Sequence, residues 1–95
     1  MTELQANELE LVGSVILENG RTRNDAVAER IKWLIRNKLK KLSVTSGGWE
    51  TLYVDPVDGR YWELSYPQSE VHGGGPQKLT ILSPEKAKTK YLLSQ

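Results

Sequence analysis

Glu50 and Glu63 are the two carboxylates of this chain best placed for acid–base work. If the strands that carry them pair around the turn between Asp55 and Arg60, they sit diagonally on one sheet face, about 7–8 Å apart at the backbone. That spacing suits two carboxylates activating a water between them. Glu70 and His72, in the string E-V-H, add a general base or two metal ligands. A protein metal site needs at least three ligands, however, and the next acids, Asp55 and Asp58, lie across a turn. Gly73-Gly74-Gly75-Pro76 invites a phosphate-loop reading, but that loop needs successive backbone N–H donors and a Lys-Ser/Thr pair opening a helix. Pro76 removes a donor, and a strand pattern follows, so the glycines read as a chain reversal. With no Cys, thiolate nucleophiles are excluded, and serine nucleophiles find little support, with no G-x-S-x-G and one possible His partner. A small hydrolase-like enzyme using Glu50, Glu63, Glu70 and His72 is therefore the alternative reading; the leading one is non-catalytic, with no cofactor and no metal.

The second alternative is nucleic-acid binding. Asp25 to Leu42 carries Arg30, Lys32, Arg36, Lys38, Lys40 and Lys41 against Asp25 and Glu29, while Trp49 to Pro76 carries five acids against Arg60 alone. A basic helix over 25–42 could lie on a phosphate backbone with Trp33 stacked on a base. Its cations surround the helix instead of forming one stripe, and an acidic hairpin beside it would repel phosphates. We expect no nucleic-acid partner.

The elements that position these residues follow from length and pattern. A chain of 95 residues with 38% hydrophobic and 26% charged side chains makes one globular domain, 1–95. No apolar run approaches the roughly 20 residues that cross a bilayer, and the acidic start lacks the basic opening of a signal peptide, so the expected location is cytoplasmic, away from membranes. Leu9 to Leu17 reads as a first strand ending at the Asn19-Gly20 turn, with Gly13 marking a bulge or close approach. Thr22 or Asn24 would cap a helix running from Asp25 to about Leu42. Its buried stripe is Val27, Ile31, Leu34, Ile35, Leu39 and Leu42, with Lys38 snorkelling out of it. Trp33 falls on the opposite, charged side, and either packs under another segment or contacts a partner.

Asp-Pro-Val-Asp-Gly then predicts a tight connection between two strands. Counting out from Asp55 and Arg60 sets Tyr53 opposite Trp62, Thr51 opposite Leu64 and Trp49 opposite Tyr66, an aromatic wall suited to packing under the helix. Glu50, Leu52, Val54, Tyr61, Glu63 and Ser65 fall on the other, more open side. Pro67 ends the second strand, Lys78 to Leu82 alternates as a last one, and Ser83-Pro84-Glu85 opens a short helix to about Leu92. The expected fold is α+β: an antiparallel sheet of about four strands packed on one long helix, with a short C-terminal helix.

The string W-E-T-L-Y-x-D-P-x-D-G-R-Y-W-E-L-x-Y-P-Q-S-E-x-H-G-G-G-P, from Trp49 to Pro76, resembles the bacterial immunity protein 27 family found beside polymorphic toxins. The likeness extends to Leu11-Val12-Gly13, Glu18-Asn19-Gly20-Arg21, Glu29-Arg30-Ile31-Lys32-Trp33-Leu34 and the segment from Leu79 to Tyr91. It implies a non-catalytic protein that binds a cognate toxin and blocks it. This chain departs from the family's pattern by its basic character from Lys32 to Lys41. The partner expected is a cognate toxin, bound by a monomer or weak homodimer. The expected contacts are Glu50, Tyr61 and Glu63 on the outer side of the hairpin, Glu70, His72, Gly73 and Gly74 in the following loop, and Trp33 as a secondary site.

Overall fold

In the computed structural model, residues 3–45, 47–66 and 77–91 are described. The chain runs β1 (Glu10–Val12), β2 (Val15–Glu18), β3 (Arg21–Asn24), α1 (Ala26–Asn37), β4 (Lys40–Val44), β5 (Thr51–Val54), β6 (Tyr61–Ser65), β7 (Lys78–Leu82) and α2 (Pro84–Tyr91). Five strands form one antiparallel sheet in the order β1-β7-β6-β5-β4, and β2 and β3 form a separate hairpin. The fold is α+β, with more strands than expected and a helix on each face instead of one.

The first strand region divides at Gly13. A side chain there would meet the Gln77 carbonyl oxygen at 2.7 Å, and the Gly13 N–H already donates to that oxygen at 2.8 Å. The chain then turns away into β2. Asn19 and Gly20 close the β2–β3 turn with φ of 53° and 76°, the pair of positive values that an Asn-Gly hairpin turn requires.

Asp25, not Thr22 or Asn24, caps α1: its carboxylate accepts from the Ala28 N–H at 2.8 Å, while residues 22 and 24 belong to β3. The helix also ends earlier than expected. The N–H groups of Lys38 and Leu39 both donate to the Leu34 carbonyl, and the Asn37 side chain donates to that of Trp33. Residues 40–44 become an edge strand on β5, so Leu42 lies exposed and outside the buried stripe. Leu39 and Leu42 fit a helical period as well as a bulged strand; the irregularity between Lys41 and Ser43 in the β4–β5 ladder absorbs the difference.

α1 closes the main core. Ile31 and Leu34 pack on Leu11, Tyr53, Trp62, Leu64 and Leu79, with Val27, Ile35 and Trp33 at the margin. Each fully buried large side chain contributes about 1.5–3 kcal/mol. The N-terminal segment is strapped onto this side. Glu8 takes two hydrogen bonds from Arg30, at 2.6 and 2.7 Å, and Arg60 donates to the carbonyls of Gln5 and Glu8 while lying 5.0 Å over the Trp62 ring. The Arg30 hydrogen bonds hold the Glu8 carboxyl down at a pKa of about 2 against the opposing effect of burial. Lys38 leaves the stripe as expected and pairs with Glu3 at 2.9 Å.

Candidate protein-binding surface

The β5–β6 hairpin carries the residues singled out from sequence, and its register is the counted one. Val54 pairs with Tyr61, Tyr53 with Trp62, Leu52 with Glu63 and Thr51 with Leu64. The turn is held by Asp55, whose carboxylate accepts from the Val57 N–H at 2.9 Å and whose backbone N–H bonds the Arg60 carbonyl. Gly59 takes φ of 77°. Backbone and side-chain bonds from Arg60, the backbone one foremost, keep the Asp58 carboxyl below its usual range. Trp49 and Tyr66 meet edge to face, ring centres 6.1 Å apart. Burial, with the nearby Tyr66, raises the Tyr53 hydroxyl above its ordinary value.

Tyr53, Trp62 and Leu64 face α1, as the register demands. The opposite face, expected to be open, is covered by α2. Ser83 caps this helix through its hydroxyl to the Lys86 N–H, Pro84 fills its first position, and its buried Ala87 and Tyr91 pack on Leu52, with Tyr61 and Leu82 alongside. Spacing of four residues puts Ala87 and Tyr91 on one side of a helix, and that apolar pair was the signal in the sequence for this packing.

Cover brings charge with it. Lys90 Nζ lies 2.6 Å from Glu63 and 2.9 Å from Glu50, and the Tyr91 hydroxyl donates to Glu63 at 2.7 Å. Burial disfavours the Lys90 charge, but the hydrogen bonds to Glu63 and Glu50 outweigh it and raise its pKa. Burial and the bond to Glu63 push the Tyr91 hydroxyl far above its ordinary value. Glu50 and Glu63 are thus brought together as the register implies, but around an ammonium instead of a water. The grooves on this side are lined by Leu82, Glu85, Lys86, Thr89 and Lys90, and by Asp58–Tyr61 with Ile81–Pro84; neither includes Glu50 or Glu63.

Trp33 is half-buried against the core, with Lys38 Nζ 5.7 Å from its ring centre. Glu70, His72, Gly73 and Gly74 lie outside the described residues. Among the described residues, no three His, Cys, Asp or Glu are grouped to hold a metal ion, and no helix is long and apolar enough to cross a membrane.

The ion pairs redistribute the charge that composition suggests. Glu3, Glu8, Glu10, Glu18, Glu50, Asp58 and Glu63 are each matched to a cation. Among the described residues Lys32, Arg36, Lys40 and Lys41 have no such match. Arg60 and the Lys90 of α2 take up three carboxylates of the hairpin, Glu50 and Glu63 sharing Lys90, whereas four of the six bases from Arg30 to Lys41 keep no acidic partner among the described residues.

A protein-family model described as Immunity protein 27 matches residues 17–83. No curated protein and no solved structure matches the chain.

Proposed function

Because this chain belongs to the immunity protein 27 family, we propose that it neutralises a cognate bacterial toxin by binding it through a protein interface, and does so without catalysis. The family match over residues 17–83 is the observation that carries this reading. The geometry is compatible with it: a sheet held between two helices is a stiff platform, so little ordering entropy is lost when a partner docks. Glu50 and Glu63, two of the four groups that an enzymatic reading would use, are already held by Lys90, and Glu63 also by the Tyr91 hydroxyl.

The contact set Glu50, Tyr61, Glu63 and Trp33, with the loop holding Glu70, His72, Gly73 and Gly74, belongs to this proposal. A toxin that uses Glu50 or Glu63 must replace the Lys90 ammonium or dock on α2 as well. We further propose that the chain acts in the bacterial cytoplasm as a monomer or weak homodimer. The test is to find a toxin-like protein encoded beside this gene, express it with and without this chain, and follow growth and co-purification. Rescue together with a stable complex is expected. Rescue without a complex overturns direct binding, and a complex without rescue overturns neutralisation.

A further inference from the structure

We infer that the free edge of β4 is the surface that receives the partner, and that the part of the partner seated there is an acidic, partly apolar protein segment. This inference rests on the toxin-binding reading and gives it a place and a chemistry. β4 ends the five-stranded sheet, so one side of its backbone pairs with β5 and the other pairs with no strand among the described residues. An unpaired edge offers a row of N–H and C=O groups to an extended chain. Along it stand Lys40 and Lys41, both exposed, their side chains without an ionic or hydrogen-bond partner among the described residues. Leu42 and Val44 are 39% and 44% exposed, and Trp49, in the turn that follows, is 55% exposed. Arg36, unmatched in the last turn of α1, adds to the positive field close to where β4 begins.

Three occupants compete for such an edge. A second copy would crowd the same lysines from both chains along one seam, and the irregularity between Lys41 and Ser43 breaks the flat register that self-pairing needs; lysines and bulges are how edges refuse their own kind. A nucleic acid would find the cations and can stack a base on Trp49, but it leaves Leu42, Val44 and the N–H and C=O groups of the strand edge without partners. A segment that alternates carboxylates with aliphatic side chains satisfies both the charges and the apolar groups. This polarity is the reverse of the acidic-hairpin interface that composition suggests, because α2 and its Lys90 occupy the carboxylates of the hairpin.

The test has two arms. In the first, the full chain is passed over an immobilised peptide of alternating Glu and Val, the same peptide with Lys for Glu, and a short DNA duplex. Retention by the Glu–Val peptide alone is expected, with affinity falling at least about tenfold in the Lys40→Glu/Lys41→Glu variant and weakening as salt is added. Equal retention on both peptides, indifference to the double substitution, or preference for the duplex overturns the inference. In the second arm, the double variant is tested against the toxin beside Arg21→Glu, a charge reversal at an exposed position of the separate β2–β3 hairpin. Loss of the complex with the lysine variant and retention with Arg21→Glu is expected; the opposite pattern overturns the location. Failure of the unsubstituted chain to bind the toxin overturns the toxin reading, and the peptide arm then judges the β4 edge by itself. Both variants are checked by circular dichroism, since every substituted side chain lies at the surface or only half-buried.

Discussion

The two faces of the five-stranded sheet are closed by different means. Under α1 the seal is apolar: Ile31, Leu34, Trp62 and Leu79 are wholly buried, and the Trp62 indole N–H is buried with no hydrogen-bond partner among the described residues. Under α2, among the described residues, Leu52, Ala87 and Tyr91 are buried with the half-buried Tyr61 and Leu82 alongside, and the contact also holds Lys90 between two glutamates and a tyrosine hydroxyl bonded to one of them. A seal made of area is strong and does not itself titrate, so on the α1 side pH acts through the Glu8–Arg30 pair at its margin. A seal made of a few apolar groups and an ion cluster is weaker, and proton binding controls it.

Trp62→Ala should give the largest loss, about 3–5 kcal/mol, read as a lower urea midpoint at unchanged slope. A loss below about 1 kcal/mol would break the claim that the α1 side carries the fold. Glu63→Ala should cost about 1–3 kcal/mol, because it strands the Tyr91 hydroxyl and removes the closer partner of Lys90. A cost equal to that of Trp62→Ala would erase the distinction between the faces. Tyr91→Phe, which deletes one hydroxyl donor, should cost about 0.5–1.5 kcal/mol in the same measurement.

Proton linkage sharpens the contrast. Lys90 and Tyr91 have pKa values raised by folding, so each binds its proton more tightly when folded. Their contribution is complete below their ordinary values of 10.5 and 10.0 and is lost as pH rises above them. Amide exchange in α2 should therefore accelerate in alkali before that of α1. Glu8 works in the opposite sense on the α1 side. Its pKa is depressed from 4.5 to about 2, so its contribution is present above 4.5 and disappears as pH falls towards 2. Glu8→Gln should flatten the acid limb of the stability profile and leave the alkaline limb untouched. The smallest effect belongs to Lys40→Glu/Lys41→Glu: both side chains are exposed, and thermal unfolding should move by no more than about 0.5 kcal/mol.

Much of the fold was open to reading from residues. The Asn19-Gly20 turn, the Asp55 to Gly59 connection, the pairing of Tyr53 with Trp62, the close approach at Gly13 and the Ser83-Pro84 helix start are where local chemistry places them. The end of α1 was not, because Leu39 and Leu42 satisfy two periodicities and only the presence of β5 alongside decides between them. Glu50, Tyr61 and Glu63 share one side of the hairpin, as the register counted from the turn requires. What lay over that face could not be counted from either strand.

By itself, the amino-acid sequence determined the turns, the Ser83 cap of α2, the hairpin register and the family, since each depends on neighbours a few positions away or on a recurring string. Tertiary structure alone decided that α2 covers the outer side of the hairpin, that Lys90 takes up its carboxylates, and that Lys40 and Lys41 stand free on an edge strand. Which charge cancels which is a matter of distance in space. Glu50 and Lys90 stand 40 positions apart in the chain and 2.9 Å apart in the fold.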